Sequence, residues 1–79
     1  MYINNNTEIQ RGSIILARTS TKEFVGQVEF IDSKNLLYGT WGQEPIDTRI
    51  ANVTVLRHYN GRLTEQGQVY NKTNPQNRI

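Results

Sequence analysis

The sequence predicts an all-β domain, built as a small, partly open barrel of about five short antiparallel strands. Three observations favour this fold. Apolar residues make up 35% of the 79 residues, and they gather in short runs that are separated by turn-forming residues. No segment shows the apolar periodicity of a helix of ordinary length. The chain has room for one domain only, and closure of its strands into a barrel protects the edges of the sheet.

The domain is expected to span residues 11–70, between two polar ends. Residues 1–10 are predicted to be a polar lead-in. Residues 71–79 are predicted to be a disordered tail, because their apolar surface is too small to offset the entropy lost on ordering. The chain has no cysteine and one histidine, which excludes disulfides and leaves too few ligands for a structural zinc site. We therefore expect neither a cofactor nor a metal.

The first two strands are predicted at residues 13–19 and 24–32. The first segment is rich in β-branched residues, which favour strands. In the second, Phe24, Val28 and Phe30 share one parity and polar residues lie between them, a pattern typical of a half-buried strand. This parity predicts that Phe30 fills the core.

A polar turn at residues 32–35 leads to a third strand at residues 36–41, and together they predict a hairpin. The connection 42–48 contains Pro45, which cannot donate a ladder hydrogen bond and so belongs at an edge or in a loop. A fourth strand is predicted at residues 50–59.

Two local features flank this fourth strand. A short helical turn around residues 47–52 is an open alternative at its start. After the strand, Asn60-Gly61 is the strongest hairpin signal in the chain. We expect this turn to bring residues 62–64 back against the end of the strand.

The strand pattern resembles that of SH3-like barrels. Arg11-Gly12-Ser13 opens a strand, and Phe24-Val25-Gly26-Gln27-Val28 begins the next, which ends in Ile31-Asp32. The outline is also similar to KOW-type modules, which bind nucleic acid, and to subunit IV of photosystem I, which implies docking of an electron-transfer partner. Leu37-Tyr38-Gly39-Thr40-Trp41-Gly42, followed by Asp47, resembles short barrel proteins of bacterial phages and mobile elements. The resemblance covers about residues 11–56 and implies an accessory protein that blocks or adapts a host component.

Catalytic chemistry has little support in the sequence. His58 is the only histidine, and no Gly-x-Ser-x-Gly elbow surrounds any serine. Asp32 and Asp47 both fall in loops, where acids commonly cap or open turns. We therefore predict that the chain is not an enzyme.

The aromatic residues carry more information about binding. Tyr38 and Trp41 are an odd number of residues apart, so in a regular strand one side chain faces the core and the other faces out. A bulge at Gly39 would change this relationship. An outward ring beside an arginine would form a stacking platform for single strands or protein partners. The candidate binding residues are Tyr38, Trp41, Arg18, Arg49, Arg57, Tyr59 and Arg62.

The charge is unevenly distributed along the chain, and two functional hypotheses remain open. The net charge is +2, with −1 on residues 1–49 and +3 on residues 50–79. The first hypothesis is a non-enzymatic module for a protein partner, with homodimer formation by edge-strand pairing as a further option. The alternative is a nucleic-acid-binding barrel that uses Arg57, Arg62 and exposed aromatics. No apolar run approaches the length of a membrane span, and no signal peptide is evident, so a cytoplasmic location is expected.

Overall fold

Five antiparallel strands and a short helix form the domain. The computed structural model describes residues 9–34, 36–42 and 44–79, so most of the predicted lead-in 1–10 lies outside the described residues. The elements are β1 (Ile14–Arg18), β2 (Glu23–Ile31), β3 (Leu36–Gly39), β4 (Ile46–Asp47), β5 (Asn52–Arg57), α1 (Glu65–Thr73) and a 3₁₀ turn (Pro75–Asn77). The chain is thus an all-β domain with a partly open five-stranded barrel, as predicted.

The strand order is β4-β3-β2-β1-β5, and every neighbouring pair is antiparallel. The nine-residue β2 belongs to both halves of the sheet, because it pairs with β1 over its first part and with β3 over its last part. Residues of the sheet and of the turn before β5 meet in one buried cluster. This core consists of Ile15, Ala17, Val28, Leu37, Ile46, Ala51, Val53 and Val55.

The predicted strands 13–19, 24–32, 36–41 and 50–59 overlap β1, β2, β3 and β5, but β3 ends two residues earlier than predicted and β5 is shorter by two residues at each end. The predicted connection also holds the two-residue strand β4, which follows directly on Pro45 and buries Ile46. The helical turn before β5 is present, because the Asp47 carbonyl accepts the N–H groups of Ile50 at 3.1 Å and Ala51 at 3.0 Å.

The turn at Asn60-Gly61 reverses the chain as predicted. Gly61 has a φ of 90°, a left-handed conformation that favours glycine. The N–H of His58 donates to the carbonyl of Arg62 at 2.8 Å, and Leu63 forms an antiparallel bridge with Arg57. The returning segment therefore lies against the end of β5.

The prediction that Phe30 fills the core is wrong, because the register of β2 shifts before it. Val28 pairs with Gly39, but Phe30 and not Glu29 pairs with Tyr38. The extra residue is a β-bulge, and a shift of one residue moves the following side chains to the other face. Val28 is accordingly buried at 1% exposure, whereas Phe30 is 57% exposed.

The C-terminal segment also differs from expectation, since the sequence indicated no helix there. Helix α1 runs through the start of the predicted disordered tail, and the 3₁₀ turn follows it. The hydroxyl of Thr64 caps the helix by accepting the N–H of Gly67 at 2.9 Å. Asn71 holds the chain end by accepting the N–H of Ile79 at 3.0 Å. This polar segment has no apolar helical face to order it, and these hydrogen bonds hold it in place instead.

Candidate binding surfaces

An aromatic pair lies exposed on the outer face of β2 and β3. Phe30 and Tyr38 are cross-strand partners, and their ring centroids are 5.6 Å apart at an angle of 44°. Phe30 is 57% exposed and Tyr38 is 36% exposed. We call these two residues the aromatic patch. The β-bulge creates it, since a regular β2 would have turned Phe30 inward.

The carboxylate of Asp32 fixes the turn beside the aromatic patch. It accepts the backbone N–H groups of Lys34 at 2.8 Å and Leu36 at 3.0 Å. The hydroxyl of Tyr38 donates to the same carboxylate at 3.4 Å. These bonds, that of Leu36 first, lower the pKa of Asp32, while desolvation and then Asp32 itself raise the pKa of Tyr38. The patch therefore carries a fixed negative charge at its edge.

Trp41 packs inward, in contrast to Tyr38. Its indole lies over the backbone of Gly26 and Gly39, where an added β-carbon would overlap the ring, and it contacts the core cluster. Its Nε1 is buried without an acceptor among the described residues. Tyr38 and Trp41 face opposite sides as predicted, although β3 ends at Gly39 and Trp41 lies in the turn after it. Trp41 serves packing.

Arg18 and Arg49 are exposed, but a carboxylate engages each of them. Arg18 pairs with Glu23 at 3.1 Å. Arg49 binds Asp47 through two bonds, Nε to Oδ1 at 3.1 Å and Nη2 to Oδ2 at 3.0 Å. This fork lowers the pKa of Asp47 and raises that of Arg49. In the described part of the chain neither arginine stacks on Tyr38, whose ring partner is Phe30.

The remaining three candidates lie together at the hairpin after β5. Arg57 is half-buried and donates to the carbonyl of Gly61 and to that of Ile79 at 3.1 Å. Tyr59 is 57% exposed, and Arg62 is exposed. Arg57 thus holds the hairpin and the chain end, while Tyr59 and Arg62 face solvent.

The seven predicted residues are therefore spread over several places and do not form one site. Sequence reasoning missed Phe30, because a bulge leaves no signal in the residue pattern. It also did not select Lys72 and Arg78, since their segment was expected to be disordered. The excess of basic side chains in residues 50–79 was nevertheless visible in the sequence.

A groove of about 550 Å³ runs between α1 and the outer face of β1 and β5. Its floor contains Leu16 and Leu56, and Val69 and Tyr70 of the helix lie along its wall. Among the described residues no group of three histidine, cysteine, aspartate or glutamate side chains is placed to hold a metal ion. His58 does not line this groove and lies at the hairpin.

The chain matches no protein-family model, no curated protein and no solved structure with which it was compared. Across residues 9–34, 36–42 and 44–79, no helix is long and apolar enough to cross a membrane.

Proposed function

We propose that the chain is a small, non-enzymatic binding module that docks a protein partner through the aromatic patch. The observation that carries this proposal is the exposed pair of Phe30 and Tyr38 on the outer face of β2 and β3. Aromatic side chains are enriched at the energetic centres of protein interfaces. A pair already held in contact also loses little side-chain freedom when a partner covers it.

The charges around the aromatic patch define the chemistry of its partner. Glu29 is exposed at the bulge next to Phe30. Asp32 stays ionised because its pKa is lowered, and Lys34 offsets part of this negative charge. Complementary charge guides association and fixes register. The partner segment therefore carries an apolar side chain next to a lysine or arginine.

A displayed library of random peptides tests this function with the intact chain as bait. Selection should enrich peptides that share an apolar anchor beside a basic residue. Phe30→Ala should weaken binding of an enriched peptide by about tenfold or more, as expected for an aromatic anchor. Ile50→Ala is the matched control, because Ile50 is 74% exposed in the turn before β5.

Three results would contradict the proposal. One is a library that yields no enriched peptide. Another is an enriched peptide whose affinity is the same for Phe30→Ala as for the parent chain. The third is an equal loss of affinity in Ile50→Ala, which would place binding elsewhere.

The cellular setting follows from the resemblance to phage and mobile-element barrels. We propose an accessory protein that acts in the bacterial cytoplasm on a host component. A homodimer by edge-strand pairing is a second candidate, favoured by one observation: β4 covers only Leu36 and Leu37 of β3. Light scattering across a concentration series tests it, and a monomer mass at every concentration would exclude it.

A further inference from the structure

Positive charge is left unpaired in the C-terminal part of the described chain. The ion pairs among the described residues join Arg18 to Glu23, Lys22 to Glu44 and Arg49 to Asp47. All of them lie within residues 18–49. Residues 50–79 contain four basic side chains and a single acidic side chain, that of Glu65. Glu65 stands in the first turn of α1, whereas Lys72 stands in its last turn.

The fold brings three of these basic residues, Arg57, Lys72 and Arg78, close to Ile79. Arg57 donates to the carbonyl of Ile79, and Asn71 accepts the N–H of Ile79. A shallow cleft of about 310 Å³ opens there. Its lining residues are Leu63, Gln68, Asn71, Lys72 and Arg78. Lys72 and Arg78 thus border one concave surface although they belong to different elements.

A second cleft, of about 350 Å³, lies at the tip of the hairpin. Its lining residues are His58, Tyr59, Asn60 and Arg62. The backbone of Gly12 supports Tyr59 from behind, since a β-carbon at Gly12 would lie 3.3 Å from that of Tyr59. Arg62 lines this cleft and its neighbour Leu63 lines the first one, so the two clefts lie at adjacent positions of the returning segment. Tyr59 thus shares its cleft with the exposed cation Arg62, and the exposed cations Lys72 and Arg78 line the other cleft.

We propose that this basic face, formed by Tyr59, Arg62, Lys72 and Arg78, binds single-stranded nucleic acid. The three cations contact successive phosphates, and the ring of Tyr59 stacks on an unpaired base. Arg57 shapes the face but makes no phosphate contact, because it donates to the carbonyls of Gly61 and Ile79. This role goes beyond protein binding and uses a different surface from the aromatic patch.

An unpaired base is required because stacking needs an open π-face, which a duplex offers only at its ends. The four residues lie at a hairpin tip, in the last turn of a short helix and directly after the 3₁₀ turn, and none of these is an element of groove-filling length. A single strand offers phosphates to the three cations and unpaired bases to the one aromatic ring. The ligand is therefore a single strand and not a duplex.

Fluorescence anisotropy with a labelled oligothymidylate or oligouridylate of about 12 nucleotides tests the proposal, a length within the range that small barrels cover. Binding should be measurable at about 50 mM salt. The logarithm of the binding constant should fall linearly with that of the salt concentration, with a slope of about −2 for three contacts on a single strand. Arg62→Gln, Lys72→Gln and Arg78→Gln should each reduce this slope by about 0.7.

The ring is tested separately from the charge. Tyr59→Ala should weaken binding by about fivefold or more, as for the loss of one stacked base, while Tyr59→Phe should bind like the parent. Arg18→Gln is the matched charge control. Arg18 forms an ion pair with Glu23 and lies at one end of β1, whereas Arg57 pairs with Ile14 at the other end. Thermal unfolding of each variant confirms that the fold is kept.

Three outcomes would overturn the proposal. The first is no anisotropy change at about 50 mM salt. The second is an equal loss of oligonucleotide affinity in Arg18→Gln and Arg62→Gln, which would show that binding depends only on the net charge of the chain. The third is equal affinity for a duplex or for heparin together with no effect of Tyr59→Ala, which would indicate a general polyanion surface. Phe30→Ala should retain nucleic-acid binding, so this proposal and the protein-binding proposal fail independently.

Discussion

The backbone of Gly67 in α1 lies directly on the carbonyl group of Leu56 in β5. A β-carbon at Gly67 would overlap the Leu56 oxygen, and it would lie 2.9 Å from the carbonyl carbon of Leu56 and from Cδ1 of Leu63. Gly67 is the buried residue of a helix that is otherwise half-buried or exposed. Close approach of the two backbones therefore explains the glycine, and it also explains how so polar a helix docks.

Gly67→Ala should destabilise the domain by about 1–3 kcal/mol, the usual cost of overpacking. Alanine favours a helix over glycine by about 1 kcal/mol, but this gain is smaller than the cost of moving α1 away from β5. Urea denaturation measures the difference. Gln68→Ala, at the next and exposed position, should be neutral or slightly stabilising. A Gly67→Ala variant as stable as the parent would show that α1 does not dock as described.

Thr64 joins β5 to α1 through one hydroxyl group. That hydroxyl accepts the N–H of Gly67 and lies within donating distance of the carbonyls of Val55, at 2.7 Å, and Leu56, at 3.0 Å. Thr64→Ala removes an N-cap and should cost about 1–2 kcal/mol of unfolding free energy. Thr64→Ser keeps the hydroxyl and should retain most of the stability. Equal losses in the two variants would attribute the effect to the methyl group instead.

Much of the barrel could be predicted from sequence because its signals are local. Alternating apolar residues located β2, a polar cluster located the turn at Asp32, and Asn60-Gly61 located the last hairpin. The odd spacing of Tyr38 and Trp41 predicted that the two rings face opposite sides, but not which of them faces the core. Each of these inferences needs only neighbouring residues.

The features that could not be predicted depend on contacts between distant segments. The bulge that exposes Phe30 is a relation between β2 and β3, and no residue type marks it. Helix α1 depends on the fit of Gly67 against Leu56, which is invisible in a polar segment that holds a helix-weakening glycine. The pairing of Arg18 and Arg49 with carboxylates likewise depends on the fold and on local turns. The candidate site was therefore less predictable than the strands.

The carboxylate of Asp32 should make stability depend on pH in acid. Its pKa in the folded chain is lowered from 3.8, the Leu36 N–H being the largest cause. A lowered folded-state pKa adds stability above the unfolded value, and this stability is lost as pH falls through the folded-state value. The unfolding free energy should therefore decrease as the pH falls below about 4.

Asp32→Asn tests this assignment, because asparagine keeps an acceptor for the N–H groups of Lys34 and Leu36 but has no charge. The loss of stability in acid should be smaller in the variant than in the parent. The pKa of Tyr38 should also fall toward its ordinary value of 10.0, since Asp32 contributes to raising it. Ultraviolet titration of the phenol measures the second effect. If the pKa of Tyr38 is the same in Asp32→Asn as in the parent, Asp32 does not act on the Tyr38 phenol.

Gly39, like Gly67, has no room for a side chain, and it reports on Trp41. A β-carbon there would overlap the carbonyl oxygen of Gln27 and the outer edge of the indole ring. Gly39→Ala should therefore push Trp41 off the core, shift its fluorescence to longer wavelength and destabilise the domain by about 1–3 kcal/mol. Gly42→Asn is the matched control, because no atom lies within 4 Å of an added β-carbon and asparagine tolerates its φ of 70°. The control should keep the parent's emission spectrum, and a Gly39→Ala variant with that same spectrum would refute the packing of Trp41 on this glycine.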